Sequence, residues 1–285
     1  MKIAISTESA ADLPKELLKE YDISSLPFSV TLGDKTGFDG EITGEEIIAF
    51  VNKNKILPKT GAINQIQFSE HFGRLLETHD AVVHFSLSSG LSSAYNNAVS
   101  VANGMKNVYV VDSKSLSAGI GLLAIYGRKL ADKGFSAKEI YEKCLARVPK
   151  VQVSSELKRV DYLYLGGRCG MLALLGANIL RIRPQIVVKD GKLVAGKKYR
   201  GKFEHIVDRY VKDTLNEFND PDLSVAFVAC TTASDEIIEN AVRIMKERGF
   251  RKVYVTRAGA TIVSYTGEDC VGVYYINDGE QLESD

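Results

Sequence analysis

The sequence predicts an α/β fold in two domains, with a parallel sheet flanked by helices in the first and a mixed sheet in the second. Three observations carry this. Through the first half, short runs rich in Val, Ile and aromatic residues alternate with longer amphipathic stretches, the pattern of strands buried on both faces and joined by crossover helices. In the second half Asp190-Gly191 separates two apolar runs, which signals a tight antiparallel hairpin. The chain has 285 residues, 45% of them hydrophobic, enough for one large or two modest domains.

Taken in order, Lys2–Ser6 reads as the first strand and Leu13–Glu20, behind Asp12, as the first helix, with Pro14 where a first turn tolerates a missing N–H. Gly44–Asn52 follows Thr43, which forms a capping box with Glu46. Phe68–Glu77 is helical, Ala81–Phe85 a strand, Ala94–Asn103 a helix and Val108–Val111 a strand, followed by helices at Ala118–Lys133 and Lys138–Arg147. The domains are accordingly placed at 1–150 and 151–285, with the boundary between Val148-Pro149 and Ser155. Pro184–Lys189 and Leu193–Lys197 are the hairpin strands, Phe203–Phe218 a helix, Ser224–Cys230 a strand, and Glu236–Arg248 a helix ended by Gly249. Lys252–Thr256, Thr261–Ser264 and Cys270–Ile276 are read as the remaining strands.

Charge and composition remove several classes of function. The 36 basic residues are matched by 36 acidic ones, so no global field attracts a polyanion, and no basic run suggests nucleic acid. No run of eighteen apolar residues is present to span a bilayer. The opening residues reach Glu8 and Asp12 before any long apolar stretch, so the expected location is cytoplasmic. Cys144, Cys169, Cys230 and Cys270 lack the close spacing of zinc ligands, and His71, His79, His84 and His205 form no metal-binding pair. Neither a metal nor a cofactor is expected.

The most unusual segment is Ser86-Leu87-Ser88-Ser89-Gly90-Leu91-Ser92-Ser93, which follows a strand and opens a helix. Capping accounts for one serine, but five in eight residues exceed that need. Free N–H groups at a helix start, reinforced by hydroxyls, suit an anion. Pro58-Lys59-Thr60-Gly61 offers another hydroxyl, and Gly166-Gly167-Arg168-Cys169-Gly170 sets an arginine among glycines. A guanidinium fork suits a carboxylate or phosphate, although such a loop also reads as a plain turn with a solvated charge. The run from Met171 to Leu180 is almost wholly apolar. It is either a core helix or, beside an anion site, the wall of a tunnel for an alkyl tail, with Met171, Leu172, Leu175 and Ile179 as its lining.

Two enzyme signatures fail on context. Gly119-Ile120-Gly121-Leu122-Leu123-Ala124 fits a loose dinucleotide fingerprint but falls inside a predicted helix rather than at a strand–helix turn. A serine nucleophile would need His84 as its base, and His84 sits in the middle of a predicted strand. A stand-alone enzyme that acts on a small carboxylate or phosphate ester through the serine loop, Arg168 and Tyr265 remains the alternative to a binding protein.

Nearly end to end, the chain resembles the DegV family, fatty-acid-binding proteins that serve as the lipid-presenting subunit of bacterial fatty-acid kinase. The resemblance rests on Ser9-Ala10-Ala11-Asp12-Leu13-Pro14, the Ser88–Ser92 loop followed by Tyr95, and Val110-Val111-Asp112-Ser113-Lys114-Ser115. Gly166-Gly167-Arg168, the stretch from Lys197 to Lys202, and Thr266-Gly267 extend it. It implies a long-chain fatty acid between two α/β domains, with Thr60 and Ser92 donating to the carboxylate, Ser89 close by and Arg168 near the head group. Tyr265 stands where the family often has a histidine. Arg200 and Lys202 occupy the stretch linked to docking a separate ATP-dependent kinase subunit, so catalysis belongs to that partner and the product is an acyl phosphate for phospholipid synthesis. Two departures stand out: Thr60-Gly61-Ala62-Ile63 where relatives commonly read Thr-Ser-Gln-Pro, and Glu8 in place of the usual aspartate.

Overall fold

In the computed structural model, which describes residues 1–170 and 183–280, the chain opens with β1 (Ile3–Glu8), α1 (Lys15–Glu20) and β2 (Ile23–Leu26). Three short strands follow, β3 (Ser29–Leu32), β4 (Lys35–Phe38) and β5 (Lys59–Gly61), with α2 (Gly44–Asn54) between the last two. Next come α3 (Gln65–Leu76), β6 (Ala81–Ser86), α4 (Ala94–Ala102), β7 (Val108–Asp112), α5 (Ala118–Asp132) and α6 (Ala137–Arg147). Four strands of the first half form the expected parallel sheet, in spatial order β2-β1-β6-β7, while β4, β3 and β5 form a separate antiparallel sheet. Every residue of β1 and β6 is buried, because helices cover both faces. The capping box at α2 forms as predicted: Glu46 N–H donates to Thr43 Oγ1 at 3.3 Å, and Thr43 N–H to Glu46 Oε2 at 2.9 Å.

The second sheet is mixed. It comprises β8 (Val151–Leu157), β9 (Arg183–Lys189), β10 (Lys192–Tyr199), β11 (Val225–Cys230), β12 (Lys252–Arg257) and β13 (Cys270–Ile276), in order β10-β9-β8-β13-β11-β12. Only β11 and β12 run parallel. The turn between β9 and β10 has Asp190 at φ 52° and Gly191 at φ 76°, the left-handed pair that a two-residue hairpin requires. Against this sheet pack α8 (Phe203–Glu217) and α9 (Asp235–Glu247), while α7 (Asp161–Leu165) and α10 (Ala260–Thr266) lie toward the first half.

Helix α5 explains its own composition. It touches β1 and β6 on one side and β8, β11 and β13 on the other, so a helix apolar on nearly all sides is what this position demands. The glycines of the discounted dinucleotide pattern sit inside it. A Cβ on Gly121 would stand 2.7 Å from the Leu13 side chain, so the glycine serves close packing rather than a phosphate.

One expectation is corrected. Thr261–Ser264, read as a strand, lies within α10. Asp39, just after β4, accepts the N–H groups of Ala260 at 2.8 Å and Thr261 at 3.2 Å, which satisfies donors that a first helical turn leaves open. Ala260 and Val263 then bury against Val30, Ile42 and Ile47. Tertiary contact therefore overrides a β-branched local preference.

Candidate functional site

Between β1 and β6 the chain reverses its direction of travel across the parallel sheet: β2 lies on one side of β1, and β6 and β7 on the other. In such sheets the crevice beyond the carboxyl ends at this point accepts ligands. The serine loop leaves β6 there, and its geometry is held from several sides. Glu8, wholly buried, accepts from Ser86 Oγ at 2.6 Å and Leu87 N–H at 2.8 Å. Ser88 Oγ donates to the Gly191 carbonyl at 2.7 Å, tying the loop to the β9–β10 hairpin. Ser89 N–H donates to Asp112 Oδ1 at 3.1 Å, and Lys114 Nζ to Ser89 Oγ at 2.8 Å. Several of the serines that prompted an anion-binding reading thus build the loop itself.

A cavity of about 270 Å³ lies against this loop, near the lower end of the range for small-molecule sites. Its apolar wall includes Phe28, Leu87, Leu91, Leu116, Leu163 and Leu193, and its polar wall Thr60, Ser92, Ser93, Arg168, Thr261, Tyr265 and Thr266. Thr60 projects from β5 and Tyr265 from α10, and their hydroxyls meet at 2.6 Å. Ser92 Oγ accepts from Ala94 N–H at 3.2 Å, which leaves its own proton available to a ligand.

Arg168 is the only charged residue of that wall among the described residues. Its guanidinium stacks 4.7 Å over the Tyr265 ring, and Nη1 donates to the Gly166 carbonyl at 2.8 Å. Glycine at 166 permits this: a Cβ there would lie 2.6 Å from the same tyrosine ring. Arg168 is exposed and, with Leu91 and Leu193, also lines an outer cleft that contains Lys192. It therefore stands at the rim rather than in the interior. A pocket with apolar walls, clustered hydroxyls and a single cation at its mouth suits an anion with an apolar body.

Thr60, Ser92, Arg168 and Tyr265 are thus brought together around one cavity, whereas Ser89, whose Oγ accepts from Lys114 Nζ, is not among its lining residues. Arg200 and Lys202 are exposed between β10 and α8. Met171, Leu172, Leu175 and Ile179 lie outside the described residues. Sequence reasoning missed Phe28, Thr261 and Thr266. The helical spacing of 261, 262, 265 and 266 was a usable signal, masked by reading that run as a strand.

The histidines are engaged elsewhere. His84 Nδ1 lies 3.0 Å from Ser6 Oγ and its Nε2 lies 3.4 Å from Glu8 Oε1, while His71 Nε2 lies 2.7 Å from Ser6 Oγ. Burial pushes His71 down to about 3, so it is neutral at physiological pH. No histidine lines the cavity among the described residues, nor does any cluster of His, Cys, Asp and Glu there fit a metal ion. No described helix is long and apolar enough to cross a membrane.

Fold and site define an α/β protein with a parallel and a mixed sheet and a cavity whose wall combines apolar side chains, several hydroxyls and one arginine. The family model described as uncharacterised protein, DegV family, matches residues 2–278, and the chain belongs to that family. It is 30% identical over 281 residues to a DegV domain-containing protein of Caldanaerobacter subterraneus subsp. tengcongensis, covering 96% of this chain and 98% of the other. Among solved structures, a fatty-acid-binding DegV family protein from Thermus thermophilus superposes with a TM-score of 0.89 at 23% identity, over 98% of this chain and all of that one. A stearic acid-binding protein from Eubacterium ventriosum gives 0.84 at 26% identity, over 97% and 98% of the two chains.

Proposed function

We propose that this protein is a cytoplasmic carrier that encloses a long-chain fatty acid and presents its carboxylate to a separate ATP-dependent kinase subunit, which forms the acyl phosphate. One observation carries the reading: a single cavity combines an apolar body, the Thr60–Tyr265–Ser92 hydroxyls and a rim cation, Arg168. The stearic acid-binding relative supports the choice of ligand. In this reading the carboxylate lies against the hydroxyls and the acyl chain follows the apolar wall of Phe28, Leu87, Leu91, Leu116, Leu163 and Leu193. The exposed pair Arg200 and Lys202 is part of the kinase-docking surface.

The energetics are of the right size. Burying hydrocarbon contributes about 0.8 kcal/mol per methylene, so roughly fourteen methylenes supply about 11 kcal/mol before association and ordering costs. The tail provides affinity, and the hydroxyls keep the carboxylate from being desolvated without partners. A serine-based enzyme is the weaker reading, because His84 is already committed to Ser6 and Glu8 and supplies no base at the cavity.

The rim position of Arg168 gives the test. Arg168→Ala is expected to leave fatty-acid uptake within about threefold of wild type, the scale of one exposed polar contact. Acyl-phosphate formation with a reconstituted fatty-acid kinase is expected to fall by about tenfold or more, the scale of a lost charge-assisted contact made during the reaction. Equal losses in a binding titration and in the kinase assay would contradict presentation by Arg168.

A further inference from the structure

Helix α10 carries one serine and two threonines whose hydroxyls are treated differently. Ser264 Oγ donates to the Ala260 carbonyl at 2.7 Å, and Thr266 Oγ1 donates to the Ile262 carbonyl at 3.0 Å; each bonds the residue four positions back. Thr261 stands in the first turn, and the residue four positions before it, Arg257, belongs to β12. The helix therefore offers it no equivalent carbonyl. Its Oγ1 is buried with no hydrogen-bond partner, although Thr261 lines the cavity and is only 3% exposed. Buried hydroxyls are rarely left in this condition, and one in a ligand cavity is most simply completed by the ligand.

We propose that Thr261 determines specificity by selecting acyl chains that bear an oxygen close to the carboxylate, that is, 2- or 3-hydroxy fatty acids over unsubstituted ones. The inference rests on the fatty-acid reading of the same cavity. Thr60, Tyr265 and Ser92 already provide hydroxyls for the carboxylate itself. Thr261 lies four residues before Tyr265 in the same helix, about 6 Å along the axis, and an aromatic side chain in a helix leans over the turn that precedes it. Thr261 therefore stands in the wall with Tyr265 and apolar Ile262, where the first carbons of the chain pass in this reading. A helical threonine has two accessible χ1 wells, so Oγ1 can turn to a ligand oxygen without backbone movement.

Calorimetric titration with palmitic, 2-hydroxypalmitic and 3-hydroxypalmitic acids, on wild type, Thr261→Val and Thr261→Ser, tests this. One hydroxy acid is expected to bind wild type about threefold to tenfold more tightly than palmitic acid, the range of one net hydrogen bond. Valine keeps the shape and removes the hydroxyl, so that variant should lose the preference, its affinity for the hydroxy acid falling about threefold to tenfold further than its affinity for palmitic acid. Serine should retain the preference. Wild type without a preference would overturn the proposal, as would a valine variant that weakens palmitic acid as much as the hydroxy acids, because the hydroxyl would then serve the carboxylate. Failure of wild type to bind palmitic acid itself would instead remove the carrier reading on which the proposal stands.

Discussion

Glu156→Leu is expected to stabilise the protein and to reduce the pH dependence of its stability. Glu156 lies on β8, wholly buried, and neither carboxyl oxygen has a hydrogen-bond partner. Burial pushes its carboxyl up to about 9, partly offset by the Arg183 charge. The sign follows from linkage. Below the unfolded value near 4.5 the group is protonated in both states and imposes no charge penalty. As pH rises toward 9 the unfolded chain releases a proton that the folded chain retains, and folding loses about 1.4 kcal/mol per pH unit, or about 3 kcal/mol by pH 7. Asp12, pushed up to about 8 by burial, acts in the same direction. Urea unfolding between pH 5 and pH 8 should show a slope smaller by about 1.4 kcal/mol per unit in the variant. An unchanged slope would mean that Glu156 is not held protonated.

Arg147→Ala is expected to cost about 3–5 kcal/mol, the penalty for stranding buried charges. Arg147 closes α6 and is 4% exposed. Its Nε and Nη2 donate to the two Asp278 oxygens at 2.7 Å each, and Nη2 reaches Asp222 at 3.1 Å and the Glu280 carbonyl at 3.1 Å. The guanidinium also stacks 4.5 Å over Tyr126 of α5. One side chain from the first half thereby holds the chain before β11 and after β13. Alanine leaves Asp222 buried without its cation, and lysine lacks the planar fork needed for the paired bonds, so Arg147→Lys should recover only part of the loss. A change below about 1 kcal/mol for alanine in equilibrium unfolding would place this cluster among ordinary surface pairs.

Legibility of the sequence followed length and burial. The buried strands β1, β6 and β7 and the Asp190-Gly191 hairpin were evident because nearly every residue obeyed one pattern. By contrast, β3, β4 and β5 have only three or four residues each and expose part of one face, too little for a periodic signal. α10 was misread because its fate depends on Asp39, more than 200 residues away in sequence. The same distance governs the site. Thr60, Ser92 and Arg168 were found as isolated hydroxyls and a cation in suggestive loops, and Tyr265 only through the family resemblance, yet the stacking of Arg168 on Tyr265 and the orphaned Thr261 hydroxyl arise only when α10 docks beside β5. Glu8 illustrates the converse. Its place in the opening motif was visible, but its work of gripping Ser86 and Leu87 required the adjacency of β1 and β6.

The most direct test of the central claim is native mass spectrometry of the protein after gentle purification, repeated after extraction with organic solvent. The account predicts an adduct of long-chain fatty-acid mass that disappears on extraction and returns when palmitic acid is added back. A chain that carries no such adduct, and takes none up when the acid is supplied, would contradict it.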